Sequence, residues 1–301
     1  MRASLLGGSN LQVSRVGLGC NNFGGRLDSV ATRAVVDGAL DAGINFLDTA
    51  DIYGGSNSER FLGEALAGRR DRVVLATKFG HDMQGANGDR PGGSRDYMRR
   101  AIDASLERLG TDYVDLYYYH RPDGVTPLEE TVGAMRELLE EGKVRWLGLS
   151  NVDAAQIRQA VEVAEIVAVQ NYYSLMQRDD DAEVVPLCRE LGIGYIPYFP
   201  LEIGLLTGKY RRGQAAPAGA RLTGTYDDRL PDERLERVEA LEALAAGHGR
   251  TLLELAIGGL ASIPGVASVI AGATSPEQAR ANAAAGSWQL TAAERAELQT
   301  L

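Results

Sequence analysis

Ile44-Asn45-Phe46-Leu47-Asp48, Val73-Val74-Leu75-Ala76-Thr77-Lys78 and Val114-Asp115-Leu116-Tyr117-Tyr118-Tyr119-His120 are three short, mostly apolar runs, each ending on an ionisable residue. A phenol follows the first of them, in Asp48-Thr49-Ala50-Asp51-Ile52-Tyr53. Runs this short and this apolar suit strands buried on both faces, as parallel strands are. Laid side by side and parallel, they bring Asp48, Lys78 and His120 to one edge of a sheet, with Tyr53 just beyond it.

The same rhythm extends in both directions. Strand-like runs occur at 16–19, 44–47, 73–77, 114–119, 144–149, 166–170, 194–197 and 266–271. Helical patterns lie between them. Asp28 or Ser29 can cap a helix with Val35, Val36, Ala39 and Leu40 on one face, and Gly43 stops it. Ser56 with Glu59, Thr126 with Glu129, Thr251 with Glu254 and Thr291 with Glu294 have capping-box spacing, and Pro127 stands at a first helical position. Ser275 caps a further helix that opens on Pro276. Residues 4–14 alternate around Gly7-Gly8-Ser9-Asn10 and predict a short β-hairpin ahead of the main fold. The stretches 80–95 and 200–232 are irregular and read as long loops.

Eight strand–helix units in one domain covering 1–301 predict a (β/α)8 TIM barrel with an N-terminal hairpin and an extra C-terminal helix. The rival is a doubly wound sheet, which carries a glycine fingerprint after its first strand. Gly17-Leu18-Gly19-Cys20-Asn21-Asn22 breaks that fingerprint at the third glycine.

A net charge of −10 and the lack of a Lys/Arg-rich block argue against nucleic-acid or anionic-membrane partners. Cys20 and Cys188 stand far apart and read as free thiols, with no metal site. Residues 1–11 lack the apolar core of a secretory signal, so a cytoplasmic location is expected. The apolar stretch 252–273 is interrupted by Glu254, Gly258, Gly259, Ser262 and Pro264, and reads as a helix followed by a strand rather than a membrane span.

Barrel sites form at the C-terminal ends of the strands. There the chain places Asn21 and Asn22, Asp48, Lys78, His120, Ser150 and Asn151, Gln170 and Asn171, and Tyr198. Each has a plain structural role when taken alone: a buried Asp48–Lys78 pair, a satisfied rim histidine, a loop tyrosine. Together they describe proton chemistry. A free phenol has a pKa of ~10, and an ammonium beside it stabilises the phenolate.

The chain resembles the aldo-keto reductases in six stretches: 43–53, Ala76-Thr77-Lys78-Phe79-Gly80, Tyr119-His120-Arg121-Pro122, Gly148-Leu149-Ser150-Asn151, Pro200-Leu201 with 204–210, and 272–282. The resemblance implies a catalytic tetrad of Asp48, Tyr53, Lys78 and His120. Tyr53 would be the general acid, Lys78 would tune it, Asp48 would hold Lys78, and His120 would orient the carbonyl. It implies a nicotinamide cofactor across the barrel mouth, NADPH by preference with NADH possible. Ser150, Asn151 and Gln170 would hold its carboxamide and Tyr198 would stack on its ring. The backbone from Leu201 through Gly204 to Leu206 would wrap the pyrophosphate. Gly272, Thr274, Ser275, Gln278 and Asn282 would hold the adenosine end.

Asn22, Phe23, Tyr53, His120 and Arg121 are expected to wall the pocket for a small carbonyl substrate. With little chain after the terminal helix, that pocket is expected to be open and broadly selective. Three local features depart from the family pattern. No basic residue stands near Thr274 for a 2′-phosphate, although Arg280 lies one turn on. Glu202 is unusual beside a pyrophosphate and is expected to face solvent or pair with an arginine. Phe199 replaces a common serine and is expected to serve packing.

The leading expectation is an NAD(P)H-dependent reductase of aldehydes or ketones. A nicotinamide-binding regulatory or redox-sensing protein on the same fold is one alternative. A barrel aldolase using Lys78 as a Schiff base is another, which the proximity of Asp48 disfavours because it would keep the lysine charged.

Overall fold

The structure describes residues 3–81, 92–212, 214, 222 and 231–301. In this computed structural model, β1 (Ala3–Leu5) and β2 (Gln12–Ser14) form an antiparallel hairpin. The strands β3 (Val16–Gly19), β4 (Phe46–Asp48), β5 (Val74–Phe79), β6 (Val114–Tyr119), β7 (Val144–Ser150), β8 (Ile166–Tyr172), β9 (Gly194–Tyr198) and β10 (Val269–Gly272) follow. These eight close into a barrel in the order β10-β3-β4-β5-β6-β7-β8-β9, every pair parallel.

The helices α1 (Ser29–Asp41), α2 (Asn57–Leu66), α3 (Arg95–Leu109), α4 (Leu128–Glu140), α5 (Ala154–Val161) and α6 (Val184–Glu190) each link one barrel strand to the next. Both α7 (Asp232–Gly247) and α8 (Leu252–Ala261) stand between β9 and β10, and α9 (Pro276–Ala285) and α10 (Ala292–Leu298) end the chain. No described helix is long and apolar enough to cross a membrane.

The period-2 alternation of each strand sorts its residues between two cores. Leu47, Leu75, Tyr117, Tyr119, Leu147, Leu149, Val169, Val269 and Ala271 face outward and pack with the helices. Phe46, Val74, Ala76, Leu116, Tyr118, Ala168, Ile196 and Ile270 fill the barrel, together with Leu6, Leu11 and Val13 of the hairpin. Full burial of one such side chain contributes about 1.5–3 kcal/mol. The hairpin plugs the N-terminal mouth: the Asn45 side chain, just before β4, accepts from Ser14 N at 2.7 Å and donates to Gln12 O at 2.8 Å.

One step further along each inward row lies a site residue. Phe46 leads to Asp48, Ala76 to Lys78, Tyr118 to His120, Ala168 to Gln170 and Ile196 to Tyr198. The parity that fills the barrel therefore also aims these side chains into its mouth. Gly148 occupies an inward position where a Cβ would lie 2.5 Å from the Tyr118 ring, so glycine there makes room for the aromatic floor under the site.

The caps divide by mechanism. Asp28 caps α1 through Ala31 N at 2.8 Å, Ser275 caps α9, and Thr251–Glu254 and Thr291–Glu294 form reciprocal boxes. The expected boxes at Ser56–Glu59 and Thr126–Glu129 are absent. Ser56 sits at φ 72° and its hydroxyl donates to Asp51 O, while Glu59 is taken by Thr77 and Arg108. Thr126 instead donates to Asp123. In both cases a stronger buried or charged partner wins the side chain. The apolar stretch 252–273 is helix then strand, as read. Most of the 80–95 stretch and nearly all of 213–230 lie outside the described residues, and so does the reading of those parts as loops.

Candidate active site

At the C-terminal mouth opens a cleft of about 810 Å³. At its base Lys78, fully buried, donates from Nζ to Asp48 Oδ2 at 2.6 Å and to Thr49 O at 2.9 Å. Gln170 donates from Nε2 to the other Asp48 oxygen at 3.0 Å. Lys78 Nζ also lies 5.2 Å from the Tyr53 ring centre and 5.7 Å from that of Tyr118. Tyr53 and His120 meet edge to face with ring centres 5.8 Å apart. All four sequence-predicted residues thus converge on one point, with Lys78 behind the cleft wall and the other three lining it.

The electrostatics assign a charge to each. Burial would depress the Lys78 ammonium, but Asp48 and Tyr53 outweigh it, and the lysine is held charged above its ordinary range. Burial raises the Tyr53 phenol and Asp48 adds to this, while Lys78 pulls the other way by charge and hydrogen bonding. His120 is pushed well below the ordinary imidazole value by burial, then by Lys78, His81 and Arg121. At neutral pH the site therefore holds an ammonium, a neutral phenol and a neutral imidazole whose buried Nδ1 has no partner among the described residues.

The turn that carries Tyr53 is braced from beneath. Thr49 and Ser58 hydroxyls lie 2.8 Å apart, and Ser58 donates to Cys20 O at 3.0 Å. Beside it Asp51 N donates to Lys78 O at 3.1 Å, and Tyr97 OH donates to Asp51 Oδ2 at 3.2 Å. Burial, and then Glu59, push the Asp51 carboxyl up to about 7. Its Oδ1 is buried with no partner among the described residues.

The opposite wall is polar above and strained below. Asn151, at φ 58°, donates to His120 O at 2.9 Å and to Ser150 Oγ at 3.0 Å, and accepts from Tyr198 OH at 2.7 Å. Tyr198 stacks on Tyr172 with ring centres 5.8 Å apart. Asn171 has the outward parity, and its amide serves Val152 and Asp180 instead.

After β9 the chain makes a tight turn through Glu202–Thr207, with Phe199, Glu202, Ile203 and Gly204 all at positive φ. Glu202 pins it. Its carboxylate is buried and accepts from Arg234 at 2.8 Å, from Tyr172 OH at 2.7 Å and from Ser174 Oγ. Of the two expected placements, facing solvent or pairing with an arginine, the structure shows the second. Beyond β10, Thr274 N and Oγ1 donate to Gln278 Oε1 at 2.9 and 3.0 Å, and Asn282 donates to Gly272 O at 3.2 Å. Gln278 N receives the Ser275 cap at the start of α9.

Of the sequence-predicted residues, Asn22, Arg121, Ser150, Asn151, Gln170, Tyr198, Leu201, Gly204, Gly272, Thr274, Gln278 and Asn282 line the cleft. Phe23 does not. It is fully buried in the outer core, because the turn after β3 folds its ring inward. Leu206 is core and Ser275 is a helix cap, so neither side chain reaches the cleft. Phe199 is 38% exposed, lines the cleft and meets Tyr198 edge to face, so it is a wall rather than buried packing. Arg280 is outside the lining, beside Glu277 at 3.7 Å.

Residues 15–301 match the aldo/keto reductase family. The chain is 39% identical over 261 residues to a "Probable aldo-keto reductase 1" from Glycine max, covering 84% of this chain and 75% of that one. It also superposes on the solved structure of aldo-keto reductase AKR11C1 from Bacillus halodurans, in its holo form. That match has a TM-score of 0.84 and 34% identity, and covers 100% of this chain and 96% of the other. The chain belongs to the aldo/keto reductase family.

Family membership makes this aldo-keto reductase an oxidoreductase of carbonyl compounds. Several lining residues of its cleft were not singled out from sequence: Cys20, Arg26, Ile52, His81, Thr207 and Lys209. Lys209 had a signal, since it stands inside the 204–210 stretch. His81 follows the Lys78 strand closely, and its ring centre is 5.1 Å from that of His120. Arg26 had no signal, because the turn that brings it to the cleft follows no periodic pattern.

Proposed function

We propose that this aldo-keto reductase reduces an aldehyde or ketone with a nicotinamide cofactor, NADPH by preference and NADH as the alternative, and that Tyr53 is the general acid. The observation that carries the reading is the Asp48–Lys78–Tyr53 arrangement beside a neutral His120 at the base of a cleft. Hydride addition turns a carbonyl oxygen into an alkoxide, and the alkoxide needs a proton. Tyr53 supplies it from a phenol that is protonated at neutral pH. Lys78, held charged by Asp48, stabilises the phenolate left behind. His120, being neutral, donates a hydrogen bond to the carbonyl oxygen and does not compete as an acid. General acid catalysis of this kind contributes about 10²–10⁴-fold.

A reduced nicotinamide dinucleotide, when bound, supplies the hydride that no side chain carries. The lining fits such a group. Ser150, Asn151 and Gln170 present hydroxyl and amide groups to a carboxamide, which itself offers both donors and an acceptor. Tyr198 offers an aromatic face. The Glu202–Thr207 turn and Lys209 suit a pyrophosphate, because turned backbone amides and an ammonium both favour anions. The start of α9, with Thr274 and Gln278 in the lining, suits the adenosine end. The holo form of the Bacillus halodurans relative supports a bound cofactor.

The test is Tyr53→Phe, assayed by NADPH and NADH consumption over a panel of aldehydes and ketones and by fluorescence titration of cofactor. The wild type is expected to consume cofactor. The variant is expected to lose about 10²–10⁴-fold in kcat while binding cofactor as before. Turnover retained in Tyr53→Phe overturns the general-acid assignment.

A further inference from the structure

The cleft lining inverts the charge of the molecule around it. The chain carries a net −10, yet among the described residues the lining holds three permanent cations, Arg26, Arg121 and Lys209, and one carboxylate, Asp48, already paired with Lys78. Lys209 lies against the pyrophosphate turn of the proposed function: a Cβ on Gly204 would be 3.1 Å from its Nζ. Arg121 stands at the other end, next in chain to His120. Its charge is felt at two groups of the reaction centre. At His120 it adds to burial, Lys78 and His81 in disfavouring protonation, and at Tyr198 it opposes the effect of burial.

The nearest acidic residue in sequence does not neutralise Arg121. The Asp123 carboxylate accepts from Gly93 N at 2.7 Å, Val125 N at 2.9 Å, Thr126 N at 2.8 Å and Thr126 Oγ1 at 2.9 Å. Those four bonds saturate it. Among the described residues Arg121 has no ion-pair partner, whereas Arg70, Arg108 and Arg234 are each tied to a buried carboxylate. Arg121 is an exposed residue of the cleft lining, next in chain to His120.

We propose, resting on the carbonyl-reductase reading, that the physiological substrate is an anionic carbonyl compound, an aldehyde or ketone bearing a carboxylate or phosphate whose charge is held by Arg121. A guanidinium presents a planar fork of donors that matches either anion. On the lining of a cleft such a charge steers an anion inward and selects it over a neutral analogue. Arg121 therefore sets which carbonyl is held while Tyr53 and His120 act on the oxygen.

The experiment compares matched pairs with NADPH as donor: butanal against 4-oxobutanoate, and glyceraldehyde against glyceraldehyde 3-phosphate. Wild type, Arg121→Met and Arg121→Lys are assayed, with cofactor affinity followed by fluorescence. The wild type is expected to favour the anionic member of at least one pair by about tenfold or more in kcat/KM, mainly through KM, the size of a charge-assisted hydrogen bond. The pair that shows it identifies carboxylate or phosphate. The preference shrinks as salt rises past about 0.15 M, where the screening length is about 8 Å. Arg121→Met collapses the preference, Arg121→Lys restores part of it, and cofactor affinity holds in both. Equal use of neutral and anionic members by the wild type overturns the proposal, as does a weakened cofactor with the preference intact. Absence of turnover with all four compounds overturns the reductase reading itself.

Discussion

The barrel mouth is built by two different means. Over β4, β5 and β6 it is made of side chains: Asp48, Lys78 and His120 project from strand ends, and one ion pair of 2.6 Å fixes the geometry. From β7 to β10 it is made largely of backbone. Asn151, Phe199, Glu202, Ile203 and Gly204 hold positive φ, and Glu202 pins the turn from below through Arg234, Tyr172 and Ser174. In the proposed function the first region handles a proton and the second holds the cofactor. A proton needs one acid whose charge state is tuned, which side chains provide. A long anionic ligand needs many donors in a curved track, which turned backbone provides. The comparison predicts that substitutions in the first region act on rate and charge, and those in the second on affinity.

The largest effect that would break this division belongs to Lys78→Met. Among the described residues, removing the ammonium leaves Asp48 buried with only the Gln170 amide on its oxygens. Kcat is expected to fall by about 10²–10⁴-fold, and stability by about 3–5 kcal/mol because a buried charge loses its partner. Adding Asp48→Asn should return most of the stability and none of the activity. Recovery of activity in the double variant, read by NADPH consumption, would contradict the role assigned to Lys78.

The same contrast explains what could be read from the chain beforehand. Apolar runs ending on Asp48, Lys78 and His120 gave the barrel and its first region, because period 2 sorts side chains without reference to the rest of the fold. The Gln170 and Asn171 pair shows the limit of listing strand ends: both looked like site residues, and parity sends only Gln170 into the cleft. In the second region the strand ends Ser150, Gln170 and Tyr198 were legible in the same way, but the turn after β9 was legible only through resemblance, since positive φ at Phe199 or Ile203 leaves no mark in residue type. Capping boxes failed where other partners were stronger. Glu59 is taken by Arg108, 49 residues along the chain, and Thr126 by the Asp123 carboxylate three residues before it, a local competitor for the same hydroxyl. Phe23 was misplaced because a non-periodic turn decides which way its ring points.

A second effect sharpens the electrostatic account of the first region. Asp51 has its carboxyl raised to about 7 by burial and by Glu59, above the unfolded value of ~3.9. The folded chain therefore binds more protons than the unfolded chain between those values. Stability contributed by this group is present at low pH and is lost as pH rises towards and through 7. Asp51→Asn should make the protein more stable than wild type at pH 8, by on the order of 2–4 kcal/mol, with the gap closing near pH 4. Urea denaturation at the two pH values checks this. A gap independent of pH would mean that packing, not charge, governs Asp51.

The smallest effect tests the second region by itself. Gly204 has φ 99° in the Glu202–Thr207 turn, and a Cβ there would meet Lys209 Nζ at 3.1 Å. Gly204→Ala must therefore carry a side chain in a conformation that disfavours one, at a cost of about 1–3 kcal/mol, and must also shift the Lys209 ammonium beside the turn. If the backbone track holds the cofactor, part of that cost appears as about tenfold weaker binding by fluorescence titration. The rate at saturating cofactor should keep most of its value, since Tyr53, Lys78 and His120 are untouched. A variant that bound cofactor normally but turned over slowly would show the two regions to be coupled through the turn, and the division between rate and affinity would fail at that point.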